Sequence, residues 1–180
     1  MPLLAEREMS AAFFITTAFV SQRRGYCDWA QVRSLAEHGM LVGAHGHTHR
    51  FLSGLGDAQL RQEFQLARDL LHDRAGVTAT QLSFPGGRFD QRAVKLAYES
   101  GFQTLFGSRF GTISTAREFH SEVLPRLAMR PGLTQTRFLG LARSSSRTML
   151  VPRLSALMKD ATRRLVGDER YHQIYRYLRG

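Results

Sequence analysis

A single cysteine, Cys27, stands in 180 residues, so no internal disulfide framework holds this fold together. That count excludes no compartment, because a domain of this size folds on a hydrophobic core alone. No apolar run approaches the roughly 20 residues that a bilayer-spanning helix needs. Internal repeats, linkers and low-complexity stretches are also missing. With 43% hydrophobic and 10% aromatic residues the chain is too apolar to be disordered, and its length suits one ordinary domain.

Acidic residues are scarce in one region only. Residues 1–125 carry 13 basic and 12 acidic groups, a net of +1, whereas residues 126–180 carry 12 and 3, a net of +9. The excess is nearly all arginine. Such a stretch favours an anionic membrane surface, an acidic glycan or nucleic acid, and a solubilising helical face is the plain alternative. No helix-turn-helix or zinc-finger pattern supports nucleic acid.

Near the start, Ala11 to Val20 is an apolar run of leader length. Glu6, Arg7 and Glu8 make the preceding segment net acidic, where a secretory leader wants a basic one, so a cytoplasmic location is favoured. Phe13, Phe14 and Ile15 with Thr16 and Thr17 read instead as a buried strand. Leu3 to Met9 reads as the end of a helix.

What is present is an alternation. Ala11–Phe19, Met40–Ala44, Thr80–Phe84 and Thr104–Gly107 read as strands, and Leu124–Met129 as an irregular one containing Pro125. Between them lie three helices. Asp28 caps one carrying Trp29, Val32 and Ala36, stopped by Gly39. Asp57 caps one carrying Leu60, Phe64, Ala67 and Leu71. Asp90 caps one carrying Ala93, Val94 and Ala97, ended by Gly101. Strand and helix at this spacing imply parallel α/β units, either an open doubly wound sheet or a barrel. In the basic region Leu154, Leu157, Met158, Ala161 and Leu165 share a helical spacing up to Gly167. Asp168 is placed to cap a last helix carrying Tyr171, Ile174, Tyr175 and Leu178.

Three of the seven histidines, His45, His47 and His49, follow the buried Leu41–Ala44 segment. Loops at the carboxyl ends of parallel strands build active sites. If the strand continues, all three side chains share a face; if a helical turn starts at His45, then His45 and His49 share one. Either geometry lets His45 and His49 converge on one ion, and neutral imidazole suits zinc, cobalt or nickel. Two histidines leave a catalytic site one protein ligand short. His47 is expected to point away or to bond locally.

Gly43-Ala44-His45-Gly46-His47-Thr48-His49 resembles the metal-binding motif of the polysaccharide deacetylases, the NodB-homology family (carbohydrate esterase family 4). In that motif a histidine, Ser or Thr and two variable residues precede a second histidine. Ala11-Ala12-Phe13-Phe14-Ile15-Thr16-Thr17 resembles the family's Ala-Thr-Phe-Phe strand. Leu82-Ser83-Phe84-Pro85-Gly86-Gly87-Arg88 resembles its aromatic-Pro-x-Gly turn, and Ala97 to Phe102 its Ala-x-x-x-Gly-Phe helix end. Four motifs in order are more specific than one. The resemblance implies an incomplete (β/α) barrel over residues 1–130, with 131–180 as a basic helical extension. It implies a hydrolase that removes acetyl groups from an N-acetylated sugar or polysaccharide with a divalent metal, zinc foremost, cobalt or nickel as alternatives. His45 and His49 would be metal ligands. The Gly86 N–H would bind the oxyanion. Phe84, Pro85 and Arg88 would line the substrate, and Arg126, in Leu124-Pro125-Arg126, would stabilise charge.

Several family positions differ. Gly46 stands where Ser or Thr is usual, and Ser83 where the family has an arginine. The pair of adjacent aspartates that supplies the base and the third ligand has no counterpart among the ten residues before Ala11. The expectation is that the first strand is missing, leaving the chain weak in metal binding and poor in catalysis unless Asp28, Asp57 or Asp90 substitutes. The late Leu-x-His acid is not visible either, since His120 has a different context. A catalytically dead relative that binds glycan or metal is the rival reading, and a basic nucleic-acid binder the third.

Overall fold

Four short strands form one parallel sheet in the order β1-β2-β3-β4: β1 Ala12–Ile15, β2 Leu41–Ala44, β3 Gln81–Ser83 and β4 Thr104–Phe106. The computed structural model describes residues 2–113, 123–129 and 131–144, and then 148–150, 152, 154, 155, 158 and 162. His120 and the helix expected after Asp168 lie outside them. The chain divides into two units, Met1–Ser108 with Ile113–Pro125, and Arg109–Thr112 with Arg126–Gly180.

In the first unit each pair of neighbouring strands is joined by a helix: α2 Trp29–Glu37, α3 Asp57–Ala75 and α4 Gln91–Glu99. Right-handed crossovers put such helices on one face of the sheet, where α2 packs on α3 and α3 on α4. Strand order that follows the sequence is the winding of a (β/α) barrel and not of a doubly wound sheet. The barrel is incomplete: the described residues hold four strands and a single further bridge, from Phe106 to Leu124.

Local chemistry accounts for the helix ends. Asp28 Oδ1 accepts from Gln31 N at 2.8 Å while Gln31 Oε1 accepts from Asp28 N at 3.0 Å, a reciprocal cap. Asp90 Oδ1 accepts from Ala93 N at 2.7 Å. Asp57, in contrast, is the first helical residue and not the cap. Gly56 takes that place, its N–H bonded to Gln59 Oε1 at 3.2 Å, and Asp57 pairs with Arg92 Nη1 at 3.0 Å.

The other departures are shortenings. The first helix, α1, is one turn, Pro2–Ala5. The strand expected over Ala11–Phe19 ends at Ile15, because Ala18 N turns to donate to His47 O at 3.0 Å and Thr17–Phe19 winds into a 3₁₀ turn. The Leu124–Met129 strand reduces to its one bridge; beyond it Pro125 has no N–H to donate.

Leu60, Phe64, Ala67 and Leu71 of α3 are all fully buried and share one core with Leu82 of β3 and Ala93 and Ala97 of α4. Gly43 is required where β2 crosses under Phe14. A Cβ there would lie 2.9 Å from both the Phe14 ring and the Gln81 carbonyl. Phe14 in turn meets Phe106 at 5.2 Å on that face. On the other face, Phe13 and Ile15 line an apolar groove of about 350 Å³ with Cys27, Gln31, Ser34 and Leu35. Burial there pushes the Cys27 thiol above its ordinary value. The cysteine's own backbone hydrogen bond opposes that shift, and the nearby Asp28 charge adds to it.

In the second unit α5 spans Gln135–Ala142, capped by Thr134 Oγ1 accepting from Arg137 N at 3.3 Å. The described residues between 148 and 162 are helical. No described helix is long and apolar enough to cross a membrane.

Candidate functional site

β2 ends at Ala44, and the sheet register reaches one residue further, where His45 N donates to Ile15 O at 2.8 Å. The chain then leaves the sheet through two left-handed residues, Gly46 (φ 70°) and His49 (φ 65°). Neither a continued strand nor a helical turn carries the histidines; an irregular loop does. A Cβ at Gly46 would sit 3.3 Å from Glu63 Oε2 and 3.5 Å from Pro85 Cγ. Glycine therefore suits both the dihedral and the space.

The loop nonetheless brings His45 and His49 together. Their rings lie 5.0 Å apart, edge to face at 67°. His45 Nδ1 donates to the Ser83 carbonyl at 2.6 Å, which fixes the tautomer and makes Nε2 the ring's acceptor nitrogen. His49 stacks on Phe19 at 5.9 Å. Phe19 is held in turn by Tyr26 at 5.1 Å and by the Arg23 guanidinium at 3.9 Å from its centroid. His47 does not bond locally as expected; its Nδ1 pairs with Thr17 Oγ1, thirty residues away, at 2.9 Å.

The turn after β3 comes up beside the pair. Pro85–Gly87 is a 3₁₀ turn with Gly86 (φ 62°) and Gly87 (φ 65°) both left-handed. A Cβ on Gly86 would lie 2.6 Å from the Phe51 ring, and one on Gly87 would lie 2.3 Å from Ser108. Gly86 is exposed. Phe84 is fully buried and stacks on Phe89 at 4.9 Å, and Pro85 is buried too. Arg88, 6% exposed, lies 4.1 Å over the Phe51 ring. Ser83 is fully buried, and its Oγ has no hydrogen-bond partner among the described residues. Arg126 is half-buried in the second unit, where desolvation lowers its pKa.

Two imidazoles, one with a fixed tautomer, fit a borderline divalent ion such as Zn²⁺, but they fill half of a tetrahedral shell. Among the described residues no group of three His, Cys, Asp or Glu side chains completes it. Asp28 and Asp90 are engaged as caps, and Asp57 pairs with Arg92. The residue missed from sequence is Glu63. It is 6% exposed, and its carboxylate accepts from His47 N at 2.8 Å, Thr48 N at 2.9 Å and the Thr48 hydroxyl. Its signal was visible: an acidic residue within the apolar stripe of α3, three residues after Leu60 and four before Ala67.

A parallel sheet wound in sequence order, with a histidine pair at the carboxyl end of its second strand, defines an incomplete (β/α) barrel with its candidate site at the strand mouth. Residues 1–105 match the polysaccharide deacetylase family, and the chain belongs to it. Members are hydrolases of carbon–nitrogen bonds other than peptide bonds. YxkH of Bacillus subtilis (strain 168), assigned to the polysaccharide deacetylases, is 24% identical over 137 residues, 76% of this chain and 48% of that protein. Among solved structures, the Streptococcus pyogenes deacetylase PplD, in complex with acetate, aligns with a TM-score of 0.68 at 17% identity, covering 77% of this chain and 61% of that one. BA3943 of Bacillus anthracis, a pseudoenzyme of carbohydrate esterase family 4, aligns at 0.52 and 19%, covering 58% and 35%. The chain thus spans about half the length of its curated relative.

Proposed function

We propose that residues 1–130 form the metal-binding part of a carbohydrate N-deacetylase site, acting on an N-acetylated sugar or polysaccharide. The observation that carries this is the His45–His49 pair at 5.0 Å, with the His45 tautomer set by Ser83. His45 Nε2 and the His49 ring would hold a divalent ion, Zn²⁺ first, Co²⁺ or Ni²⁺ as alternatives. Such an ion supplies Lewis acidity toward the amide carbonyl and acidifies water. The chain's own residues orient the rest. The N–H of Gly86, an exposed residue, is the donor for the oxyanion that develops as the acetyl carbonyl is attacked. Phe84 and Pro85 build the wall of the turn from within, and Arg88 presses on it through Phe51. Arg126, expected to stabilise charge, belongs to the second unit and takes no part in this reading. Acetate release from chitin oligomers with added Zn²⁺, lost in His45→Ala and His49→Ala, tests the reading. Unchanged turnover in both variants sinks it.

The sequence contains no adjacent aspartates, and the three aspartates that could replace them are engaged elsewhere. This favours a second reading for the 180-residue chain, that of a family member which binds metal or glycan with little turnover. Losing one acid–base catalyst costs roughly 10²–10⁴ in rate. Robust metal-dependent turnover by the chain beginning at Met1 would refute it.

We assign residues 131–180 to an anionic surface, a membrane or an acidic glycan. In support, residues 126–180 carry a net of +9, and Leu150, Leu154 and Met158, spaced four apart, are exposed at 57%, 53% and 72%. Sedimentation with vesicles containing an anionic lipid, released by salt, is the check; equal binding to neutral vesicles excludes it.

A further inference from the structure

We infer that Glu63 is a positioning residue for the histidine pair, acting through the backbone of the loop between them. The inference rests on the reading of His45 and His49 as metal ligands. Glu63 sits on α3, whose neighbouring residues Leu60, Phe64 and Ala67 are fully buried, so the carboxylate is mounted on a helix anchored in the core. At 6% exposure it has little water to solvate it, and a buried carboxylate persists only where donors replace that water. Three donors do, and all come from His47 and Thr48: two backbone N–H groups at 2.8 and 2.9 Å on Oε2, and the Thr48 hydroxyl on Oε1. Both oxygens are therefore committed, which removes Glu63 from consideration as the general base.

The need for such a clamp follows from His49. Its φ of 65° is a conformation that a non-glycine residue leaves unless its surroundings hold it. Glu63 grips the two residues directly before it. The segment is fixed upstream by His45 N on Ile15 O, and at His47 by its carbonyl accepting from Ala18 N at 3.0 Å. Without the carboxylate, residues 47 and 48 lose their acceptor and His49 relaxes to negative φ. Its ring then swings away from His45, whose own position is set separately by Ser83.

The test compares wild type with Glu63→Ala and Glu63→Gln. Glutamine keeps the contacts: its carbonyl accepts from both amides, and its NH₂ donates to Thr48 Oγ1. Co²⁺ titration is run alongside hydrogen exchange at the His47 and Thr48 amides and the His45–His49 ring NOE in metal-free protein. Glu63→Ala is expected to weaken Co²⁺ roughly 10–100-fold, the usual cost of losing an outer-shell partner. It should also speed exchange at both amides and abolish the NOE, while Glu63→Gln restores all three. Leu71→Ala, a core cavity at a fully buried site on the same helix, lowers stability without touching the loop and should leave Co²⁺ affinity at the wild-type value. Wild-type affinity, exchange and NOE in Glu63→Ala, or equal weakening by Leu71→Ala, overturns the role. If His45→Ala and His49→Ala leave Co²⁺ binding unchanged, the metal reading fails, and amide exchange with the NOE alone decides Glu63. Should Glu63→Ala fail to fold, Glu63→Asp, one methylene short of both amides, takes its place with the same readouts.

Discussion

Replacing Gly86 with alanine tests how closely the turn at the candidate oxyanion donor is packed. Two costs arise. Gly86 has φ 62°, and an L-residue pays about 1–2 kcal/mol in the left-handed region. The new Cβ would also lie 2.6 Å from Phe51 Cε1, so the ring must move. Phe51 is 42% exposed and can swing outward, but it then leaves the Arg88 guanidinium now 4.1 Å from its centroid, forfeiting about 0.5–1 kcal/mol. The sum is about 2 kcal/mol, or roughly 4–8 °C in Tm at this size. Trp29, the one tryptophan, lies in the first unit, so urea unfolding followed by its fluorescence reads that unit. In a Phe51→Ala background the clash and the stacking are already gone, and Gly86→Ala should cost only the dihedral strain. The cycle should therefore show a coupling of about 1 kcal/mol. Additivity within about 0.3 kcal/mol would refute the claim that Phe51 rests against Gly86.

Phe64→Ala empties a fully buried site and removes the edge contact with Phe102 at 5.7 Å. A loss of about 3–5 kcal/mol is expected in the same urea assay, and less than about 1 kcal/mol would show that α3 is not the centre of packing. Asp28→Ala removes the cap of α2 and should cost about 1 kcal/mol, while Asp28→Asn should cost much less. Because burial raises the Cys27 thiol above its ordinary value, native protein at pH 8 should react more slowly with a disulfide reagent than urea-unfolded protein does. By linkage, that raised value contributes stability which is intact below the unfolded thiol's pKa and is lost as pH rises through the folded one. Faster reaction in the native state would reverse the sign.

Much of the site was legible because its cues are local. The Asp28 and Asp90 caps, the strand before His45 and the breaks at Gly39 and Gly101 each depend on residues within a few positions. The four family motifs in order were enough to set the barrel class. Local cues misled where a distant partner intervened. Thr16 to Phe19 have strand propensity, yet the chain turns there because His47, thirty residues from Thr17, supplies both a carbonyl and a ring nitrogen. Asp57 is a favoured cap residue, yet the helix begins one residue earlier, and the aspartate answers Arg92 of α4 instead.

The sequence by itself determined that this chain alternates strand and helix, that His45 and His49 stand at a strand's carboxyl end, and that no aspartate pair accompanies them. Periodicity, composition and spacing are properties of neighbouring residues, and they survive without a fold. Only the tertiary structure decided how the histidines meet. Their 5.0 Å approach depends on a left-handed His49, on a carboxylate from α3 and on a carbonyl from β3. The carboxylate lies 16 and 15 residues from His47 and Thr48, which it bonds, and the carbonyl lies 38 residues from His45. A left-handed φ is costly for histidine, so nothing local would choose it; the packed helix and strand on either side of the loop impose it.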